Sequence, residues 1–257
     1  MRRASVKAAA RNAPLLDSIR ELKSDHPFWG YRRVWARLKY GQGLEVNKKR
    51  VYRLMKEAGL LVAPNLKIKA RRSATGPKPR PTAPNEWWGI DMTKALIGEG
   101  GWVYIVVVLD WYTKKVVGCD VGTRSKSTDW LSALETAVNR QFPDGVRDKG
   151  LSLMSDNGCQ PTSVAFMEAC STLGIRQAFT SYNNPKGNAD TERMMRTIKE
   201  ELIWLHDWTS AAQLKARLTE WFEEYNVEYL HSTLGYKTPQ RFEAEYKNSH
   251  ATLLAGA

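Results

Sequence analysis

Three short stretches between residues 86 and 121 decide the predicted fold: EWWGIDMT (86–93), WVYIVVVL (102–109) and KVVGCDV (115–121). All three are rich in the β-branched and aromatic residues that favour extended chain, and residues 110–114 separate the last two as a turn. They predict three antiparallel strands that follow one another in the chain.

Helical and strand patterns alternate after this unit. Apolar residues recur at helical spacing in four stretches, and two short apolar runs between them are typical of strands. The helices are predicted at 126–141, 162–173, 189–205 and 209–229, and the strands at 151–155 and 175–180. This order is typical of a ribonuclease H-like α/β domain, a mixed five-stranded sheet with flanking helices. We expect it at residues 85–246, with 247–257 as a tail.

The positive charge is confined to the first third of the chain. The 257 residues carry a net charge of +12, but residues 1–84 hold 21 Lys and Arg against 5 Asp and Glu, whereas residues 85–257 hold 18 against 22. This asymmetry indicates a polyanion-binding segment joined to a second domain. We therefore expect nucleic acid as the partner, with a solvated basic face as the alternative reading.

Residues 1–62 are predicted to form a small, all-helical domain whose last helix is basic. A first helix is expected around 15–22 after an arm at 1–14, and a second follows the breaker at Pro27. Asn47 can cap a third helix, which Gly59 ends. The pattern is typical of a helix-turn-helix module, although a structural three-helix bundle is also compatible with it. The candidate DNA contacts are Arg32, Arg33, Lys48, Lys49, Arg50 and Arg53.

A basic, proline-rich linker is expected between the two domains, at residues 63–84. It holds five prolines and six basic residues and no acidic ones. Proline at this density disfavours helix and keeps the chain extended, and the positive charges can follow a phosphate backbone. The candidate DNA contacts in the linker are Lys69, Arg71 and Arg72.

Three acidic residues occupy settings that are unusual for a structural carboxylate. Asp91 lies within an apolar strand, where an unpaired carboxylate is costly to bury. Asp156 stands where a later strand stops, although Asp-Asn-Gly could equally be a simple turn. Glu192 lies on the long helix and shares a face with Arg196 and Lys199, although an ordinary ion pair with Arg196 would also explain it.

Other conspicuous residues favour a structural role. The three cysteines never form a Cys-x-x-Cys pair, so neither disulfides nor zinc are expected. Asp110 and Asp120 flank a hairpin and are expected to be turn or edge residues. The tryptophans are expected in the core rather than as surfaces that stack bases: Trp87, Trp88, Trp102, Trp111, Trp130 and Trp221.

In combination, the three acids resemble the catalytic triad of DDE transposases and retroviral-type integrases. Asp156 and Glu192 are separated by 35 residues, an interval that such enzymes often show, and Asp91 precedes them on the first strand. More closely, the chain resembles the second-frame product of the bacterial insertion-sequence three family. The shared motifs are HPFWGYRR (26–33), SDNG (155–158), PKGNA (185–189), YN (225–226) and HSTLGYKTP (231–239). Tyr229-Leu230 stands where the family usually has Arg-Pro.

This resemblance implies a DDE transposase that cleaves DNA and transfers strands at the ends of an insertion sequence. Its carboxylates would hold two Mg²⁺ ions, replaceable by Mn²⁺, with Asp91 bridging both and Asp156 and Glu192 completing one site each. Lys199 resembles the basic residue that holds the terminal phosphate, and Arg196 is a second candidate. The alternatives are a nuclease of the same fold that only cuts and a DNA-binding regulator descended from a transposase.

The resemblance also implies partners and a location. The substrate would be double-stranded DNA at transposon ends and targets, held by a homo-oligomer that we expect to be a dimer. The family's second-frame product is commonly fused to a first-frame DNA-binding segment, so we expect this chain to need that product or fusion. The longest apolar run, 103–109, is too short for a bilayer, and no signal peptide is visible. Both features favour a cytoplasmic protein with no membrane partner, and the resemblance implies that it is bacterial and nucleoid-associated.

Overall fold

The structure, a computed structural model, describes residues 6–62, 79–180 and 187–255. The chain divides into two compact units. A helical unit contains the described residues up to 62 together with Leu230–Tyr236, and a sheet unit contains the others. No helix in the described ranges is long and apolar enough to cross a membrane.

The helical unit is built from three helices, one of which is extended by a π-helical turn. They are α1 (Val6–Asp25), α2 (Tyr31–Ala36) with its extension Arg37–Gly41, and α3 (Lys48–Glu57). Apolar side chains from all three are buried together, among them Ile19, Val34, Leu38, Val51 and Met55. The Asn47 side chain accepts a hydrogen bond from the Lys49 N–H at 2.8 Å and so caps α3, as predicted.

The first helix is longer than the sequence pattern predicts. α1 begins at Val6 and continues through Pro14, so the expected arm at 1–14 is wrong from residue 6 onward. Alanine has the highest intrinsic helix propensity, and the three alanines at 8–10 favour helix in this basic segment.

A short segment near the end of the chain, Leu230–Tyr236, folds with the helical unit. The Tyr236 ring meets the Trp35 ring edge-on at 5.1 Å and stacks on the Tyr40 ring at 5.4 Å. This differs from the sequence-based division, which runs the second domain unbroken from 85 to 246. The separation of these partners in the chain, about 200 residues, explains why local patterns could not reveal the contact.

The sheet unit contains the predicted mixed sheet of five strands. The strands are β1 (Trp87–Ile97), β2 (Gly101–Asp110), β3 (Val116–Gly122), β4 (Ser152–Ser155) and β5 (Arg176–Phe179). Their order across the sheet is β3-β2-β1-β4-β5. The first three strands pair antiparallel, and β4 and β5 then add in parallel on the other side of β1. β1 is therefore the central strand, with a neighbour of each kind.

Five helices complete the sheet unit: α4 (Ser127–Gln141), α5 (Val164–Thr172), α6 (Ala189–Glu201), α7 (Ala211–Glu228) and α8 (Pro239–Ala255). The first four lie where the periodicity predicts them. α8 continues to Ala255, so the expected tail at 247–257 is wrong for residues 247–255. Its first helical position is Pro239, where proline's fixed φ favours a helix start.

Helices cover both faces of the sheet, and each face has its own core. On one face, side chains of α4 and α5 such as Trp130 and Phe166 are buried with Ile90. On the other face, side chains of α6 and α7 such as Ile198 and Phe222 are buried with residues of β1 and β2. Since successive strand residues point to opposite faces, alternate residues of β1 serve alternate cores.

Candidate active site

Asp91 lies in the middle of the central strand, opposite Val107 of β2. Its Oδ1 accepts a hydrogen bond from the Met92 N–H at 2.8 Å. The pKa of Asp91 is raised from 3.8 to about 7, chiefly by burial and also by the negative charges of Asp156 and Glu192, whereas the Met92 N–H and the positive charge of Lys199 oppose the shift. The three predicted acids and Lys199 therefore share one electrostatic environment.

Asp156 is held next to Asp91 by the register of two parallel strands. Gly89 of β1 pairs with Met154 of β4. Asp91 and Asp156 each stand two residues further along, so both side chains point to the same face of the sheet. Asp156 is the first residue after β4, and its Oδ1 accepts the Gly158 N–H at 3.0 Å, which fixes the start of the exposed turn. Asp156 therefore begins a turn and also lies next to Asp91.

Glu192 is carried by the first turn of α6. Its N–H donates to the carbonyl oxygen of Asn188 at 2.9 Å, as in a regular helix start. The side chain is exposed, while Met194, Met195 and Ile198 on the other side of the helix are buried against the sheet. The predicted division of α6 into an apolar face and a polar face is therefore present.

A close contact between α6 and β1 sets the position of this helix. A Cβ at Gly89 would lie 1.9 Å from the Thr191 Oγ1, 2.4 Å from the Trp111 Nε1 and 2.8 Å from the Asn188 Oδ1. Only glycine leaves room for three such groups. Glu192 directly follows Thr191, so this contact places the helix turn that carries the third acid two residues along β1 from Asp91.

Asn188 is a buried polar residue within the same contact. It is 3% exposed, and its Nδ2 donates to the Ile90 carbonyl at 3.4 Å. Its Oδ1 finds no hydrogen-bond donor among the described residues. Burial of an unpaired amide oxygen is costly, so the site carries an unsatisfied acceptor beside the candidate carboxylates.

The donor chemistry of these acids fits a hard divalent cation. Carboxylate oxygens are the ligands that Mg²⁺ and Mn²⁺ favour, and a cation would relieve the repulsion that raises the pKa of Asp91. In the described ranges, however, no three His, Cys, Asp or Glu side chains lie close enough together to hold one metal ion. The backbone brings the acids to one place without the side chains converging on a common point.

The two basic candidates on α6 differ in their surroundings. Lys199 is half-buried and acts on the carboxyl of Asp91. Arg196 instead forms an ion pair with Glu200, with 2.5 Å between Nε and Oε1. This pair joins residues four positions apart on the same helix, as an ordinary helical ion pair does.

Some basic candidates of the helical unit contact other residues of that unit, and others are exposed. Arg50 donates to the side-chain oxygen of Asn12 at 2.7 Å and to the main chain of Arg11 at 3.1 Å, and so joins α3 to α1. Lys48 lies 4.3 Å from the centre of the Trp35 ring. The exposed candidates are Lys49, Arg53 and Arg32, while Arg33 is half-buried. Lys69, Arg71 and Arg72 lie outside the described residues, as do Pro185 and Lys186 of the PKGNA motif.

Several residues that shape the site were not singled out by the sequence. Trp111, predicted only as core, donates its indole N–H to Thr191, and Gly89 had no visible role in the sequence.

Two residues noted in the sequence have structural roles. Asn226 of the YN motif is 3% exposed and bonds both the N–H and the C=O of Val116, at 2.9 and 3.0 Å, so it ties α7 to β3. Asp110 is the predicted turn residue, since its carboxylate accepts from main-chain N–H groups.

Comparison with known protein families also separates an N-terminal helical part of the chain from a part that contains the sheet. Residues 10–67 match the family described as "HTH-like domain", and residues 81–185 and 173–239 match two families described as "Integrase core domain". A simian T-cell lymphotropic virus intasome, determined by electron cryomicroscopy in complex with a PP2A regulatory subunit, aligns with a TM-score of 0.54 and 18% identity. The alignment covers 81% of this chain and 73% of that one.

Two curated relatives are products of bacterial insertion elements. A protein of insertion element IS407 from Burkholderia multivorans is 30% identical over 237 residues, which cover 92% of this chain and 83% of that protein. The transposase InsD of insertion element IS2 from Escherichia coli is 25% identical over 229 residues, which cover 87% and 76%.

The chain combines a helix-turn-helix-like unit with a ribonuclease H-like sheet, and acids lie on the central strand β1, directly after β4 and on α6. This combination defines an integrase-type DNA recombinase. The chain belongs to the insertion-sequence three family of DDE transposases, enzymes that cleave DNA and transfer strands at the ends of an insertion sequence. Both the predicted fold and the predicted family are confirmed.

Proposed function

We propose that Asp91, Asp156 and Glu192 are the catalytic carboxylates of this transposase and hold two Mg²⁺ ions, for which Mn²⁺ can substitute. The observation that carries the proposal is the strand register that brings Asp156 beside Asp91, together with the contact of Gly89 with Thr191 that brings the first turn of α6 to the same strand. The raised pKa of Asp91, caused by burial and by the charges of the other two acids, is consistent with this arrangement. Three carboxylates that repel one another beside a half-buried lysine do not favour stability, and a bound divalent cation would relieve their repulsion.

Each acid contributes a different property to the proposed site. Asp91 is the most buried and is fixed by the Met92 N–H, so it would be the ligand shared by both ions. Asp156 and Glu192 are exposed and can turn toward Asp91 when substrate and ions arrive. Two bound ions would activate the attacking oxygen and stabilise the leaving oxygen of the phosphodiester.

Lys199 and the helical unit would bind the DNA. The charge of Lys199 acts on the carboxyl of Asp91, which supports a role for its ammonium group in pairing with a phosphate next to the cut bond. The exposed side chains of Lys49 and Arg53 on α3 would contact the double-stranded transposon end. We further propose that the enzyme acts as a homo-oligomer, a dimer at least, in the bacterial cytoplasm on nucleoid DNA, and with the first-frame product or a fusion to it.

The test is a joining reaction with the element's own ends, whose terminal repeats are read from the DNA that flanks the gene. Asp91→Asn, Asp156→Asn and Glu192→Gln should each lower Mg²⁺-dependent cleavage and joining by about 100-fold or more, because each removes a ligand charge. Glu168→Gln is the matched control, since Glu168 is an exposed carboxylate on α5. Undiminished joining by any of the three variants would remove that residue from the proposed site.

A further inference from the structure

A groove of about 990 Å³ lies in the sheet unit, beside the end of the β1–β2 hairpin. One wall comes from hairpin residues 94–102 and the other from residues 199–209, which end α6 and follow it. Lys199 belongs to this lining and also acts on the carboxyl of Asp91. Lys199 therefore belongs both to the groove and to the electrostatic surroundings of Asp91.

Two large aromatic side chains stand exposed in this groove. Trp102 is 45% exposed and Trp204 is 60% exposed. We expected Trp102 to be buried in the core; this is wrong, because Trp102 pairs with Leu96 near the end of the hairpin and both side chains are exposed, whereas the adjacent Ile97 and Val103 are buried. Exposure of two indole rings in one concave surface indicates a ligand with flat apolar faces.

The same groove carries positive charge. The Lys94 ammonium lies 4.2 Å from the centre of the Trp102 ring, and Lys199 lies on the opposite wall. Asp207 is the acidic residue among the lining residues. Two lysines against one aspartate favour an anion, and the tryptophans favour an anion that also has stacking surfaces.

We infer that the groove binds unpaired nucleotides of the DNA strand that flanks the cut phosphate, with bases stacked on Trp102 and Trp204 and phosphates paired with Lys94 and Lys199. The inference deepens the proposed function and rests on it, because DNA is taken as the substrate. Bases inside a duplex are covered by their neighbours, so an indole ring can stack only on a base that is frayed or extruded. The enzyme would thus open a few base pairs at the site that it cuts.

The experiment measures DNA binding without cleavage, in the presence of EDTA. One probe is a blunt duplex, and the other is the same duplex with a three-nucleotide unpaired flank that contains 2-aminopurine. Stacking of the probe base quenches its fluorescence, so one titration reports both affinity and stacking. The full-length chain should bind the flanked duplex more tightly than the blunt one and should quench its fluorescence.

The double variant Trp102→Ala, Trp204→Ala should weaken binding of the flanked duplex by about tenfold or more and abolish the quenching, because stacking of one base on one aromatic ring already supports a factor of this size. Binding of the blunt duplex should change by less than about twofold. Replacement of both residues by Phe should preserve most of the quenching, since a phenyl ring still stacks. Val164→Ala, at an exposed apolar residue of α5, is the control and should change neither probe.

Equal losses for both probes, or no loss for either, would overturn the inference. A double variant that self-associates differently from the parent without DNA, measured by analytical ultracentrifugation, and that keeps its preference for the flanked probe would show a protein-docking surface instead. If the double variant does not fold, Lys94→Ala decides the question. It should reduce the slope of log Kd against log salt by about 0.7 with the flanked probe only, the value for one contact to single-stranded DNA.

The outcome is separable from that of the proposed catalytic site. Glu192→Gln should lose joining and keep the preference for the flanked duplex, whereas the tryptophan variant should keep metal binding. If Glu192→Gln joined DNA normally, the proposed triad would be wrong. The binding measurements with the tryptophan variant would still test the groove independently.

Discussion

Trp111 donates its buried indole N–H to the hydroxyl of Thr191 across a distance of 3.0 Å. Trp111 is 1% exposed and follows β2, while Thr191 is fully buried and immediately precedes Glu192 on α6. This hydrogen bond therefore links the sheet to the helix turn that carries the third acid. The relationship makes the geometry of the site sensitive to two buried residues outside the candidate triad.

Thr191→Val should break this link while preserving side-chain shape. The indole N–H would remain buried without a partner, which costs about 1–3 kcal/mol in the free energy of unfolding. Thr191→Ser keeps the hydroxyl and should recover most of the loss. Urea unfolding measures stability, and the Mg²⁺ concentration for half-maximal joining measures the effect on Glu192. If Thr191→Val joined DNA with the parent's Mg²⁺ requirement, the hydrogen bond would have no positioning role.

Gly89→Ala should be more severe, because its Cβ would overlap both partners of that hydrogen bond, at 1.9 Å from the Thr191 Oγ1 and 2.4 Å from the Trp111 Nε1. Overpacking of this kind costs about 1–3 kcal/mol or more, and relief would push α6 away from β1. Gly122→Ala in β3 is the control, since its Cβ would meet atoms no nearer than 3.9 Å. Equal urea midpoints for the two variants would contradict the close approach.

Asp91 should make the stability of the metal-free chain depend on pH. Between pH 3.8 and about 7 the unfolded chain releases this proton and the folded chain keeps it, so the free energy of unfolding falls as pH rises. Above about 7 both states are ionised and the loss is complete. Asp91→Asn lacks this titration. The free energy of unfolding of the variant minus that of the parent should therefore be about 1–3 kcal/mol larger at pH 8 than at pH 4. A difference that does not vary with pH would place Asp91 in a more solvated setting.

The basic residues of α3 should separate into binding and structural classes. Lys49→Ala and Arg53→Ala should weaken duplex binding and reduce the slope of log Kd against log salt by about 0.9 each, with stability unchanged. Arg50→Ala should lower thermal stability, because its guanidinium joins α3 to Asn12 of α1. Fluorescence anisotropy at several salt concentrations and thermal unfolding distinguish the classes. A reversed pattern would mean that α3 presents a different face to DNA.

Much of the fold was predictable because its signals are local. The β-branched runs of β1, β2 and β3 and the apolar spacing of α4 and α6 place these elements within a few residues of their observed bounds. The carboxylates were also accessible, since an aspartate in an apolar strand and the 35-residue interval can be seen without coordinates.

The supporting contacts were not predictable, because they join residues that are remote in the chain. Trp111 meets Thr191 across 80 positions, and Tyr236 meets Trp35 across about 200, and no periodicity links either pair. The exposure of Trp102 depends on which parts of the β1–β2 hairpin the rest of the fold covers. Residue propensities carry no information about this coverage. Arg50 and Lys49 are adjacent and equally basic, and only packing separates their roles.

The central claim is that three acids from separate elements form one divalent-metal site when DNA is bound. Its most direct test is to count bound Mn²⁺ by electron paramagnetic resonance in the DNA complex of the parent, of Asp91→Asn and of the control Glu168→Gln. We predict about two tightly bound ions per active site for the parent and the control, and a loss of both for Asp91→Asn, which removes the shared ligand. Two ions bound to Asp91→Asn with the parent's affinity would contradict the claim.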